Sequence, residues 1–273
     1  MVFIICVLIG VMTAFLGSLM GLGGGIILIP SLLFLSSFMD SFAWATPQTI
    51  VGISLVTMIF TALSSTIAYH KIRRLDYKTG LLFLSGSIPG SVLGSWLNQF
   101  FNADNFLLYF GLVMIVMSFL FFVKLKPKGS QSVDGKGRVK REFYVNGVTH
   151  IYSVSIWLAF FISLFVGTLS GLFGIGGGAI MVPAMILLFG IPIHIATGIS
   201  MFMILFVSII GASTHIALGH IAWEYVFFFI PGAWLGAKLG VIVNQKLTGQ
   251  ALVWIFRILL IFIGLRMIFQ GLA

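Results

Sequence analysis

Charge is what this sequence has least of. Of 273 residues only 8% are Asp, Glu, Lys or Arg, against roughly a quarter in a soluble domain. No charged residue precedes Asp40, and none lies between Ile151 and Trp223, a stretch of 73 residues. So few charges cannot cover a water-facing surface, and a soluble globular domain is excluded. Cysteine is nearly absent: the single Cys6 rules out a disulfide framework. Carboxylates are also scarce. The six acids (Asp40, Asp76, Asp104, Asp134, Glu142 and Glu224) all fall at expected helix ends or in loops, so a proton relay of buried carboxylates is not visible. Enzyme signatures are missing too. The chain has no H-E-x-x-H, no Cys/His cluster with metal spacing, no G-x-G-x-x-G opening a βαβ unit and no Walker A lysine. No enzymatic activity, metal or cofactor is expected.

Hydrophobic residues, at 60%, fill the space that charge leaves. They run continuously, not in the alternating segments of about ten residues that mark a membrane barrel. A bilayer core takes about 20 apolar residues per helix, and only helices satisfy the backbone of a continuous apolar run in lipid. The chain therefore reads as an all-α, polytopic integral membrane protein. Its expected helices are 2–20, 26–38, 48–69, 79–98 and 104–123, then 151–172, 179–190, 194–217, 223–243 and 250–270. Segments 26–38 and 179–190 are short for a crossing and read as broken or re-entrant. The first apolar run lacks a basic leader and continues past residue 30, so 2–20 is read as a retained span rather than a cleaved signal.

The basic excess, +9, is concentrated. Eleven of 15 Lys and Arg lie in 71–78 and 124–141. Such clusters mark cytoplasmic loops, a better reading than nucleic-acid binding. Residues 124–150 read as a flexible, basic, cytoplasmic linker that divides a first membrane repeat, 1–123, from a second, 151–273. A lipid-headgroup contact of this linker is secondary.

The two parts repeat. Residues 14–35 align without gaps on 167–188 with nine of 22 identities, among them Gly21/Gly174, Gly23–Gly25/Gly176–Gly178 and Pro30/Pro183. Val51–Ser54 (VGIS) matches Thr197–Ser200 (TGIS), and Pro89–Leu97 matches Pro231–Leu239. Three matches in the same order make a duplication. Loop charge gives its sense. The loop with Lys71, Arg73, Arg74 and Lys78 has a counterpart, Leu218–Tyr225, without Lys or Arg, whereas the loop with Asp104 corresponds to one with Lys246. That reversal, with about five segments per repeat, predicts inverted repeats with both termini outside the cell membrane. Four crossings per half would instead give parallel repeats.

The paired elements GSLMGLGGGIILIP (Gly17–Pro30) and GTLSGLFGIGGGAIMVP (Gly167–Pro183), each followed by G-x-S and PG-x-x-LG, resemble the TauE/SafE family, known for export of sulfite and organosulfur anions. The resemblance covers nearly the whole chain. It implies a secondary transporter of small anions that works by export and by rocking of one half against the other. Two departures are the long basic linker and Ile53 where a threonine is common.

Three consecutive glycines cost a helix about 1 kcal/mol each relative to Ala. One explanation is close helix packing in lipid. The other is a break that exposes the N–H groups of the next helix to an anion. On the second reading the substrate-binding candidates are Gly23, Gly24, Gly25, Gly176, Gly177 and Gly178. Hydroxyl donors Ser54, Thr57 and Ser200 join them, as does His215, an ionisable group within an apolar run. Each hydroxyl has the alternative of bonding its own helix backbone. His194 stands at a helix start. His70 is read as interfacial, and His150 and His220 as loop residues. Lys238 and Arg266 are expected to snorkel; Arg257 is deeper and either adds positive potential to an anion path or, the preferred reading, points to the cytoplasmic surface. Expected partners are a small anion and the lipid bilayer, with a homo-oligomer left open. A passive anion channel and a non-transport assembly protein are the alternative functions. The second of these predicts glycines that only pack.

Overall fold

A computed structural model describes residues 2–36, 38–42, 44–101, 103–120, 137–145 and 148–272. The helices are α1 (Val2–Met20), α2 (Gly25–Ser36), α3 (Pro47–Lys71), α4 (Tyr77–Asn98) and α5 (Ala103–Leu120). The second set is α6 (Ile156–Phe173), α7 (Gly178–Phe189), α8 (Ile193–Ala217), α9 (Trp223–Lys246) and α10 (Gly249–Leu272). Seven of them, α1, α3, α4, α6, α8, α9 and α10, are long and apolar enough to cross a membrane. The chain is thus an all-α polytopic membrane protein. Its outer surface agrees: Trp96, Trp157, Phe161 and Phe262 are exposed, as a lipid-facing surface requires and a water-facing one avoids.

The linker differs from expectation. β1 (Arg138–Val145) pairs antiparallel with β2 (Val148–Ser155), so the helix expected from residue 151 begins only at Ile156. Residues 121–136, the first part of the expected flexible tether and the end of the expected helix 104–123, lie outside the described residues.

Local chemistry sets the helix ends. Thr46 caps α3 by accepting from the Thr49 amide at 3.3 Å, with Pro47 in the first helical position. Asp76 caps α4 through the amides of Lys78 and Thr79. α6 ends on Gly174 in the left-handed region, its amide bonded to the Ser170 carbonyl at 2.8 Å.

The two repeats are interlocked. On α4, Gly86, Gly90 and Gly94 receive the carbonyls of Phe160, Leu164 and Thr168 on α6. On α9, Gly232, Gly236 and Gly240 receive those of Val7, Val11 and Phe15 on α1. Glycine every fourth residue keeps one face of each helix bare, so backbones touch along several turns. The contacts also fix the true correspondence: Gly90 plays the part of Gly236, not of Gly232. The sequence match of Pro89–Leu97 with Pro231–Leu239 is therefore one helical turn out of register. The glycine spacing repeats every turn, which lets the motif slide by four residues and still match.

Helix direction follows from the same contacts. α4 and α6 run side by side in the same direction, as do α1 and α9. Asn244, near the end of α9, donates to the Leu19 carbonyl at 2.7 Å and accepts from Arg74 Nη1 at 3.3 Å. The ends of α1 and α9 thus lie at the α3–α4 loop. The start of α6 lies at this same end, because its hairpin binds Asp76 there.

Candidate functional site

Both glycine triplets break their helices. Gly21, Gly23 and Gly24 have φ of 76°, 84° and 100°, and Gly174, Gly176 and Gly177 have 63°, 78° and 72°. An L side chain resists this left-handed region at every one of these matched points. The chain folds back after α1: a methyl at Gly24 would stand 2.9 Å from the Thr13 carbonyl oxygen. At the corresponding place Gly177 lies against Val166 and Ser170.

The two breaks meet. Gly25 is pressed on the Gly174 carbonyl, and Gly178 on the Gly21 carbonyl. These contacts exchange partners under one approximate two-fold relation. The G-x-S elements obey it as well. Ser54 Oγ donates to Gly174 O at 2.8 Å, and Ser200 Oγ donates to Gly21 O at 2.6 Å. Gly52 makes room for the His220 carbonyl, as Gly198 does for that of Arg74. Each G-x-S therefore ties one repeat to the break of the other. A hydroxyl has one proton; those of Ser54 and Ser200 are engaged here, so a substrate must displace the carbonyls to use them.

The centre is closed. Met58 of α3 and its counterpart Ile204 of α8 lie between the breaks. A methyl at Gly23 would be 2.8 Å from Met58 Sδ, and one at Gly176 would be 2.7 Å from it. Beside them is a small cavity lined by Gly176–Gly178, Ser170, Ser200, Ser87 and apolar side chains. Its free centre holds about one water molecule. Two buried hydroxyls near the breaks, Thr57 Oγ1 and Ser170 Oγ, have no hydrogen-bond partner among the described residues. Thr57 was expected from sequence. Ser170 was not, although its place opposite Gly17 in the repeat alignment marks it as an asymmetry. At the start of α2 and α7 the amides of Ile27 and Ile180 bond the Gly24 and Gly177 carbonyls, while those of Gly25, Ile26, Gly178 and Ala179 have no carbonyl a turn earlier within their helices. Among the described residues, the centre thus offers an anion neutral donors and no cation.

His215 lies 15 residues beyond Ser200 along α8, or about 22 Å from that hydroxyl, and within a turn of the Gly174 break on α6. It is buried, its ring against the Gly171 backbone and its Nδ1 3.3 Å from His220 Nδ1. Its counterpart is Tyr69, whose hydroxyl donates to the Ser18 carbonyl at 3.0 Å. Lys238 is exposed. Arg257 lies over the Trp254 ring at 5.2 Å and Arg266 over Phe34 at 4.0 Å.

A polar cluster that sequence reading missed holds the hairpin. Arg141 donates to Asp76 through Nη2 at 2.7 Å and Nε at 3.3 Å. Tyr152 and Thr79 hydroxyls donate to Oδ2 at 2.7 and 2.6 Å. Burial alone would raise the Asp76 carboxyl; the bonds from Arg141, Thr79 and Tyr152 outweigh it and hold the group at about 2.

Paired half-helices meeting inside a bundle of spanning helices define a class: multi-pass membrane proteins of transporter architecture. The comparisons with known proteins narrow it. The sulfite exporter TauE/SafE family model matches residues 6–267, and the chain belongs to that family. It is 43% identical to the probable membrane transporter protein YunE of Bacillus subtilis over 99% of both chains. It is 24% identical to the probable membrane transporter protein MJ0441 of Methanocaldococcus jannaschii, over 90% of this chain and 88% of that one. The Arabidopsis thaliana sulfite exporter TauE/SafE family protein 5 is 37% identical over 32% of this chain and 19% of its own. No solved structure matches.

Proposed function

We propose that this membrane transporter carries a small oxyanion of the sulfite or organosulfonate class out of the cell, through a site formed between the two glycine breaks. The observation that carries this reading is the reciprocal meeting of the breaks, Gly25 on Gly174 and Gly178 on Gly21. It brings the N-terminal ends of two short helices near one centre, where helix dipoles favour a negative charge. The family supports the cargo class. Export rests on the family alone.

The repeats are inverted in this reading. α1 ends, and α6 begins, at the end of the bundle that carries the α3–α4 loop, so equivalent helices run in opposite directions. The basic residues of that loop and of the linker support a cytoplasmic position for this end under the positive-inside bias, with both termini outside.

A carrier is favoured over a passive channel, because Met58 and Ile204 close the centre and leave about one water's space. Access must then alternate. The bodies that rock are not the two sequence halves. The glycine faces fuse α1 to α9 and α4 to α6, so each moving body contains helices of both repeats.

Efflux of sulfite and thiosulfate from vesicles holding the purified protein tests the reading. Saturable flux is expected from the native chain. Gly24→Leu and Gly177→Leu should lose it while remaining folded in the membrane. Native rates in either variant sink the helix-break site.

A further inference from the structure

The two-fold relation pairs residues at the two ends of the bundle, and at one pair the chemistry differs. Arg74 corresponds to His220, as the matched contacts of their carbonyls with Gly198 and Gly52 establish. Around Arg74 stand His194 and Asn244, with Nη1 at 3.5 Å from His194 Nδ1 and 3.3 Å from Asn244 Oδ1. Around His220 stands His215, and Asn98 makes the same bond to the Leu172 carbonyl, at 2.7 Å, that Asn244 makes to Leu19. The framework is shared and the cation is not.

Arg74 is only 8% exposed, yet no ion pair joins it to a carboxylate among the described residues. A buried cation without a counter-charge is costly, and a guanidinium is built to take an oxyanion in a bidentate grip. Its place is also fixed. Arg73 holds a left-handed φ of 55° just before it, and the Arg74 amide donates to the Tyr69 carbonyl at 3.1 Å. At the other end the histidines form a single shared hydrogen bond, so at most one of two facing nitrogens carries a proton until another is added. The elements packed on them add no compensating charge. α6 offers the Gly171 backbone and α3 offers Gly52, while Asn98 of α4 bonds the Leu172 carbonyl and makes no hydrogen bond to either ring among the described residues. Glu224 at the start of α9 is exposed and makes no ion pair with either ring.

We propose that these clusters are two outer stations for the transported oxyanion, one at each end of the path: Arg74 with His194 and Asn244 binds it at any physiological pH, and His215 with His220 binds it only after taking up a proton. The proposal rests on the transport reading above and adds a pH gate to it. The proton balance is simple. One proton enters the histidine pair from the adjoining water as the anion arrives, and returns to water when the anion leaves, so the anion travels with a proton-dependent gate at one face only. Burial pushes the His220 imidazole down from its ordinary value, which keeps this station neutral until its compartment turns acidic.

The experiment uses the full chain in vesicles of one orientation, with thiosulfate, a dianion throughout the range, as probe and sulfite and methanesulfonate beside it. Acidifying the face of His215 and His220 from pH 8 to pH 6 should raise flux about tenfold, the change expected when a histidine goes from neutral to charged. Acidifying the Arg74 face should change little. His220→Arg should abolish this pH dependence and hold flux at the acid level; Arg74→His should create a new dependence at its own face. If Arg74→His does not fold, His220→Arg, on a half-buried loop position, still decides. Native flux with no pH dependence at the histidine face, or an unchanged dependence in His220→Arg, overturns this inference and leaves the transport reading intact. No flux of any of the three anions by the native chain sinks the transport reading and this inference with it.

Discussion

At the scale of single residues, serine has a structural duty that sequence leaves undecided. Ser54 and Ser200 each satisfy a carbonyl freed by the break in the other repeat. Removing such a donor leaves a buried acceptor unmet, which costs about 1–3 kcal/mol. Ser54→Ala and Ser200→Ala should therefore each lower thermal stability by a similar amount. The double variant should lose close to the sum, as for independent contacts. Thermal unfolding in detergent reads this directly, and an undisturbed melting temperature in either single variant contradicts the tie. A break was one of two readings of the glycine triplets, since three glycines in succession weaken a helix and also allow close packing; the left-handed φ at Gly23, Gly24, Gly176 and Gly177 decides for the break. The partner of each serine was not legible, because a hydroxyl bonds its own turn or a distant carbonyl with equal ease. His215 shows a different failure. The apolar run left open whether it stands in the membrane or at its interface; α8 carries it about 22 Å from Ser200, yet within a turn of the Gly174 break through the Gly171 backbone, and only the fold shows that it faces His220.

At the scale of elements, the ten-helix order and the short second helix of each repeat were readable from apolar runs and glycine. The pairing of helices was not. Apolar content cannot say which helix lies beside which, and the four-residue spacing of glycine let PG-x-x-LG align one turn away from its structural partner. The hairpin was missed for a different reason. The linker was judged by its Gly, Ser, Pro and charge, while Asn146-Gly147 between two runs rich in Val and Tyr is itself a strong hairpin signal. The interlocked pairs carry a quantitative expectation. Leucine at Gly90 or Gly236 forces apart backbones in contact, and overpacking of this kind costs about 1–3 kcal/mol. Both variants should lose stability to a similar extent, because the two-fold relation equates them. Gly232→Leu should resemble Gly86→Leu rather than Gly90→Leu; a ranking that instead follows the proline-aligned motif refutes the shifted register.

At the scale of the whole molecule, the hairpin fastens the connection between repeats to the loop that begins α4, so the start of α6 cannot leave the start of α4 while Asp76 is charged. The carboxyl is held at about 2, below its ordinary value of 3.8. The sign follows from that depression. The clamp's contribution is fully present above the ordinary carboxylate range and is lost as pH falls from there through about 2. It is thus a permanent strap under physiological conditions, in contrast with the histidine station at the opposite end. Asp76→Asn keeps a capping oxygen for α4 but removes the charge that Arg141 grips. Hydrogen exchange of the amides in 138–155 should accelerate roughly tenfold or more, since a bond to a charged group contributes about 1.5–3 kcal/mol. Tyr152→Phe, which removes one neutral donor, should have a smaller effect. Amides in α8 and α9 should exchange as in the native chain. Equal exchange in native and Asp76→Asn protein at neutral pH would mean that the strands hold themselves, and that the four bonds to Asp76 do not fasten them.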